Sequence, residues 1–517
     1  MRRGPRPLTL ARAAVMVGSA LLLAALGFGL TAARHGVAPD VYADELVYSS
    51  AARAIATGHG LTVQGQPFFW QAPLFLTVEV PLIWAFHLAG QPAMQLALDL
   101  RPLNAAVAAA TAVCLFGFVS QLGGLRAGWI AALLFLTTPY TATVARRLLV
   151  DPLAALLILV TLWACYRSLG RWSWRRRLAT GLLLGSALLA KELTGYVFAV
   201  LVLLWVRREV RWTEPVAIGL TACCAYGAYP LWAAAGGLWP AFVRTKLGQA
   251  GRLVGAVHST SLAIGQHLGH AVVANAGDDW PSYLCLALSV PATVWLWRRP
   301  DRASRFVSTW AAVSLVFFAA LFKFGSLHDQ FVTYLMLASL ASIGLAAATA
   351  GWPRAPGLVS TLRSRQRRWA GLAIMAGVAV LGVAGLATWG RLYGTGRDDG
   401  IVSLVRVIDR TVPRGAAIGL PVSELELLHF AYPHGRYRLI DATAPPVLRR
   451  DGIRWVVFST KDVAGGEIGV PAYRALVRAS RLVWRRTEPT FQTIELRLVR
   501  TAPPAPRPRS ARPAAAP

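Results

Sequence analysis

Apolar stretches of roughly 15 to 25 residues recur along most of the chain, the length at which an α-helix crosses about 30 Å of hydrocarbon. The clearest run over Leu10–Leu30, Leu103–Val119, Trp129–Tyr140 with its flanks, Pro152–Tyr166, Val216–Ala235, Tyr283–Trp297, Phe306–Phe322, Phe331–Ala350 and Trp369–Trp389. A further stretch, Leu178–Val206, carries arginines at both ends, which demands two crossings. At 1.5 Å per residue it supplies only about 44 Å of helix against the roughly 60 Å that two full spans need. The pattern therefore predicts a shortened hairpin with its apex at Lys191, Glu192 and Gly195.

Composition agrees with this pattern. Hydrophobic residues make up 55% of the 517 and charged residues 15%, against about 25% charged in ordinary soluble domains. The net charge of +29 would suit a nucleic-acid or anionic-membrane partner, but only Lys191, Lys246, Lys323 and Lys461 are lysines and the arginines fall in short loops. Basic residues stay on the cytoplasmic side. Arg2, Arg3, Arg6 and Arg12 thus place the N-terminus inside, and the clusters at Arg171/Arg175/Arg176/Arg177, Arg207/Arg208/Arg211, Arg298/Arg299/Arg302/Arg305 and Arg363/Arg365/Arg367/Arg368 should all be cytoplasmic. No nucleic-acid partner is expected; the arginines meet membrane lipids.

That requirement settles Pro73–Leu88, which is apolar but holds Glu79, Pro81 and His87. As a full crossing it would send the first arginine cluster outside, so it is predicted to lie along the outer interface. The expected architecture is a polytopic α-helical membrane protein of about 11 transmembrane helices. Its membrane domain covers 1–392, with a first external loop at 31–99 and an interfacial helix at 73–88. An external α/β domain spans 393–500, its strands predicted at Ala416–Leu420, Tyr437–Ile440, Ile453–Ser459 and Thr493–Leu498 and its helices at Val402–Arg410 and Tyr473–Arg481. Residues 501–517 are almost all Pro, Ala and Arg and are expected to be disordered. The five cysteines, Cys114, Cys165, Cys223, Cys224 and Cys285, sit in apolar spans and read as core packing residues.

Ionisable residues near membrane depth are costly and mark paths or sites. In this topology Asp44 and Glu45, Arg146, Arg147 and Asp151, Lys191 and Glu192, and Lys323, His328 and Asp329 share the outer face. Acids beside cations at an outer interface suit group transfer from a phosphate-bearing lipid: a carboxylate takes the proton from an acceptor hydroxyl while cations neutralise the departing phosphate. Blander readings stand beside this one. Arg146 and Arg147 are placed to snorkel to the interface, and Asp151 before Pro152 suits a helix N-cap.

Tyr42-Ala-Asp44-Glu45-Leu-Val-Tyr48, then Ala51-Ala-Arg53, a glycine turn at Gly58–Gly60, and Gln71-Ala-Pro73-Leu74 resemble the first external loop of the GT-C glycosyltransferases, nearest the protein O-mannosyltransferase and aminoarabinose-transferase type of family 39. Arg147-Leu-Leu-Val-Asp151-Pro152 is similar to the second-loop acidic motif, Leu188-Leu-Ala-Lys191 to the family's lysine-terminated helix, and Lys323 with His328 to Tyr334 to its late basic and aromatic loop. The resemblance covers roughly residues 10 to 350. It implies that Asp44 is the catalytic base, that Glu45 positions donor or acceptor, and that Asp151 orients substrate or helps bind a cation. Arg147, Lys191 and Lys323 would contact the donor phosphate, with His328 in the same substrate-binding group. Gln71-Ala72-Pro73 stands where relatives often have a basic or histidine residue before the proline, and Arg53 is the candidate substitute.

The expectation is an inverting glycosyltransferase of the bacterial cytoplasmic (inner) membrane, with its active site and C-terminal domain external. It would take a sugar from a polyprenyl-phosphate donor and pass it to a hydroxyl of an external glycan, lipid or protein acceptor. No cofactor is required by this reading, although a divalent metal or the arginines would serve to neutralise the phosphate. The alternative is a multispanning transporter or lipid flippase, against which the scarcity of mid-span acids and the lack of a repeat argue.

Overall fold

The computed structural model describes residues 10–31, 41–253, 264–323, 332–350, 376–388, 390 and 399–500, less 433–434, 466–467 and 489–491. The chain divides into two compact units. The first comprises Met1–His35, Val47–Gln91 and Leu96–Thr395; the second comprises Gly36–Leu46, Pro92–Gln95 and Gly396–Pro517.

The first unit is helical. Its long elements are α1 (Leu10–Thr31), α2 (Ala43–Ala56), α3 (Leu74–Ala85), α4 (Ala93–Gly123), α5 (Leu125–Thr137), α6 (Pro139–Ala145), α7 (Asp151–Ser168), α8 (Trp174–Ala190), α9 (Tyr196–Val206), α10 (Thr213–Ala235), α11 (Trp239–Leu253), α12 (Ile264–Trp297), α13 (Arg302–Lys323), α14 (Val332–Ala350) and α15 (Ala376–Thr388). Helix α2, whose last residues belong to this unit, gives way to a turn in which Gly58 and Gly60 take φ of 81° and 70°, a region L side chains avoid. A two-stranded hairpin follows, β1 (Thr62–Val63) against β2 (Gln66–Pro67). Among the described residues, four helices are long and apolar enough to cross a membrane: α1, α4, α7 and α10. The protein is a polytopic helical membrane protein.

The hairpin predicted over 178–206 is present. Helix α8 stops at Ala190, Glu192–Gly195 forms a 3-10 turn, and α9 resumes at Tyr196. What seats α8 against α10 is a pair of glycines four residues apart. A Cβ on Gly185 would stand 2.6 Å from Ala225 Cβ, and one on Gly181 would overlap Thr221. Small residues let two backbones approach closely where lipid offers no hydrophobic drive.

Three of the four arginine clusters meet at one end of this bundle. Arg177 pairs with Glu214 at 2.6 Å and Arg305 with Glu209 at 2.8 Å. The Arg207 guanidinium lies 3.9 Å over the Trp297 ring and donates to Thr309 Oγ1 at 2.8 Å, and Arg302 donates to Leu169 O at 3.2 Å. The fourth cluster, Arg363–Arg368, lies outside the described residues, as do Arg2, Arg3, Arg6 and the 501–517 tail.

Three expectations need correction. Helix α4 starts at Ala93, ten residues before the apolar run, because Ala93–Leu100 continues its buried face with Leu96, Ala97 and Leu100. Helix α12 starts at Ile264, well before Tyr283, and absorbs Pro281 within a single 34-residue helix. Cys223 and Cys224 are exposed on α10, so only Cys165 and Cys285 are buried packing residues, with Cys114 between. An apolar span in lipid does not need to hide its small side chains.

The second unit carries a five-stranded sheet in the order β4-β3-β5-β7-β6, with β3 (Ala417–Leu420), β4 (Arg438–Asp441), β5 (Trp455–Ser459), β6 (Ser480–Glu488) and β7 (Gln492–Val499). Strands β4, β3 and β5 run parallel, joined through helices that include Val422–Ala431 and Pro445–Arg450; β5, β7 and β6 run antiparallel. Strand β6 was not expected. Its four charged residues in nine mask the alternation, which slips at a bulge between Leu482 and Trp484.

Candidate active site

Asp151, Lys191 and Tyr334 converge from three elements. Asp151 is the first residue of α7, Lys191 closes α8, and Tyr334 lies in the first turn of α14. Lys191 Nζ donates to Asp151 Oδ1 at 2.7 Å, and Tyr334 OH donates to the same oxygen at 2.7 Å. The Asp151 side chain is wholly buried and that of Lys191 is 8% exposed. Buried charges of this kind persist only when paired. The second oxygen, Asp151 Oδ2, is buried and has no hydrogen-bond partner among the described residues. The N-cap reading of Asp151 is thus overturned: Val150 holds the cap position, and the carboxylate reaches sideways to Lys191 and Tyr334.

The loop before Asp151 is pinned by a residue that sequence reasoning missed. Asn104, fully buried on α4, donates to Arg147 O at 2.6 Å and Leu149 O at 2.8 Å. A lone Asn in an alanine-rich helix was the signal, since a buried amide must find partners. Arg146 is buried at 3% exposure, which rules out interfacial snorkelling for it, and Arg147 is half-buried.

A second cluster of the same composition sits one residue further along the apex. Glu192 Oε1 accepts from Lys246 Nζ on α11 and, at 3.2 Å, from Tyr226 OH on α10. Here the side chains are 19% exposed for Lys246 and 30% for Glu192. Tyr229 and Phe242 place their ring centroids 5.9 Å from Lys246 Nζ, within cation–π range. Tyr229 OH in turn donates to Gln71 O at 3.3 Å, and the Phe242 ring meets Phe69 edge-on at 5.4 Å. Both clusters lie at the ends of α7, α8 and α10 opposite the arginine pairs.

Asp44 and Glu45 occupy the first turn of α2. Glu45 is buried, and its Oε2 accepts from Tyr42 N at 2.9 Å, closing the start of the helix as a capping acid does. Asp44 is half-buried. Arg53 donates from Nη1 to Gln91 O at 2.9 Å. Lys323 ends α13 with its side chain outside the description, and His328 lies outside the described residues. Glu79, in α3, is fully buried with both oxygens unpartnered among the described residues, and burial holds its pKa well above the usual carboxylate range. Among the described residues, no group of three or more His, Cys, Asp or Glu side chains is placed to hold a metal ion.

The helical bundle thus brings two carboxylate–lysine–tyrosine clusters together at one end. Residues 79–232 match the family model described as dolichyl-phosphate-mannose-protein mannosyltransferase, a segment that contains Asp151, Lys191, Glu192 and Tyr226. Across the chain, the fold is similar to that of the archaeal oligosaccharyltransferase AglB from Archaeoglobus fulgidus, solved with an inhibitory peptide and a dolichol-phosphate. The TM-score is 0.53 at 11% identity, over 94% of this chain and 74% of that one. It is also similar to apo ArnT from Cupriavidus metallidurans, at TM-score 0.50 and 14% identity over 94% of this chain and 97% of that one. Among curated proteins, no sequence matches. The chain has the fold of the GT-C glycosyltransferases, the superfamily its first-loop and second-loop motifs resemble.

Proposed function

We propose that the protein is a membrane glycosyltransferase of the bacterial cytoplasmic membrane, taking a sugar from a polyprenyl-phosphate donor and passing it, with inversion, to a hydroxyl of an external acceptor. The observation that carries the reading is Asp151: a buried carboxylate clamped on one oxygen by Lys191 and Tyr334, with its other oxygen unpartnered among the described residues, in a chain of GT-C fold. Its free oxygen is suited to orient a substrate hydroxyl.

Asp44 is the general base in this proposal. As the first-loop resemblance implies, Asp44 takes the proton, and Glu45, which accepts from Tyr42 N, positions donor or acceptor. The acceptor hydroxyl loses its proton to Asp44 as its oxygen attacks the anomeric carbon opposite the phosphate. The anomeric C–O bond to phosphate breaks, and its electron pair leaves on polyprenyl phosphate, whose charge Arg147 and neighbouring cations neutralise. Arg53, Lys191, Lys323 and His328 remain assigned to substrate binding, as the resemblance implies.

The test is Asp44→Asn assayed with radiolabelled polyprenyl-phosphate sugar on membranes. Transfer should fall by about 100-fold or more, in keeping with loss of a general base. Undiminished transfer by a folded variant would remove Asp44 from the role.

A further inference from the structure

The cluster around Glu192 has no part in the scheme above, yet it repeats the buried cluster's chemistry in the open. Each carboxylate is served by one lysine and one tyrosine, and Lys191 and Glu192 are consecutive in the chain. Charges therefore alternate through the two clusters, Asp151 and Lys191 buried, Glu192 and Lys246 both reaching solvent.

Exposure separates the two pairs in kind. A partly exposed ion pair is held by on the order of 1 kcal/mol or less, so a stronger anion can replace its carboxylate. Lys246 would not be stranded by that exchange, because the Tyr229 and Phe242 rings, packed edge-on together, lie within cation–π range of its ammonium. Glu192 would not be stranded either, since Tyr226 OH still donates to it and its side chain reaches solvent. Helix α11 is anchored against the first loop by Gln249, which donates to Trp70 O, and by the Phe242–Phe69 contact, so Lys246 keeps its place when its partner changes.

We infer that Glu192 is a resident anion at a phosphate-binding lysine, and that a lipid-linked phosphate binds by displacing it from Lys246. The inference rests on the donor class proposed above. It adds a binding residue, Lys246, and a specificity residue, Glu192: a weak anion fails to displace the carboxylate, whereas a phosphate, with more oxygens and up to two charges, succeeds. The same exchange run backwards helps the product lipid phosphate leave.

Two substitutions with opposite expected signs test it. Purified full-length protein in detergent is titrated with undecaprenyl phosphate while tryptophan fluorescence is followed. Lys246→Gln should weaken binding roughly 10-fold or more, Lys246→Arg should keep most of it, and Glu192→Gln should tighten it several-fold because the competing charge is gone. If the pair were merely structural, Lys246→Gln and Glu192→Gln would weaken binding alike, and that result overturns the inference. Inorganic phosphate and phosphatidylglycerol at equal concentration are the free-ion and bulk-lipid arms; an equal response to either overturns the assignment to a polyprenyl phosphate. Wild-type protein that fails to bind undecaprenyl phosphate sinks the donor assignment itself, whereas binding that Lys246→Gln leaves intact sinks only the role of Lys246. Should Lys246→Gln not fold, the sign of the Glu192→Gln change still decides.

Discussion

The two carboxylate–lysine–tyrosine clusters at the hairpin apex use the same three residue types and differ in burial. Around Asp151, the carboxylate is inaccessible and the lysine nearly so; around Glu192, both reach solvent. In the first, loss of either partner leaves a charge in a medium that cannot solvate it. In the second, water or a ligand takes over. The same chemistry thus fixes the position of α7, α8 and α14 in one place and offers an exchangeable site in the other. Burial decides which.

The sharpest way to break this comparison is a double-substitution cycle on the buried pair. Asp151→Asn and Lys191→Met should each cost about 3–5 kcal/mol, the usual result of orphaning one buried ion. The double variant should cost less than the sum, because neither charge is then left alone. Glu192→Gln and Lys246→Gln should each cost about 1 kcal/mol or less. Thermal unfolding in detergent measures all five. Equal losses at the two clusters would show that burial does not separate them.

Glu79 supplies the missing third case, a carboxyl that is buried and has no partner among the described residues. Because its folded pKa is raised, the folded chain holds a proton that the unfolded chain releases above about pH 4.3. Stability from this group is full below that pH and falls as pH rises toward the folded value. Glu79→Met removes both orphan oxygens and should gain about 1–3 kcal/mol at neutral pH. The gain should shrink toward pH 4 and widen in alkali, and the melting temperature of the two proteins against pH is the measurement. A constant offset across that range would mean that Glu79 does not titrate on unfolding.

Much of this was legible along the chain. The shortfall of Leu178–Val206 against two full spans located the apex at Lys191 and Glu192, and the arginine runs anticipated that three basic loops would meet at one end. Asp151 and Lys191 were candidates for the site from their motifs, but their pairing across forty residues was not readable, because it depends on how α7 packs against α8 in the folded bundle. Tyr334 and Asn104 were invisible as partners for the same reason: a tyrosine and an asparagine in apolar helices announce that they need hydrogen bonds, not where these lie. Lys246 carried no signal at all. Its helix reads as an ordinary amphipathic segment, and only the folded chain brings it to Glu192.

A smaller effect than those at the buried carboxyls belongs to a carboxylate at the arginine end, where no site is proposed. Asp301 precedes α13 and caps it, its Oδ1 accepting from Ser304 N at 3.0 Å and its Oδ2 from Ser304 Oγ at 2.9 Å. Burial alone would raise its pKa, but the two Ser304 hydrogen bonds and then Arg299 more than offset this and hold it below the usual value. Its stabilisation is therefore present above about pH 3.9 and is lost as pH falls through the lower folded value. Asp301→Ala should cost about 0.5–2 kcal/mol near neutrality, as lost N-caps do, and Asp301→Ser should recover most of it. Binding of undecaprenyl phosphate should be untouched by either, since the cap lies at the end of the bundle away from Glu192 and Lys246. A change in that binding, measured by the same fluorescence titration, would show that the two ends are energetically coupled and that burial at one cluster is not a local property.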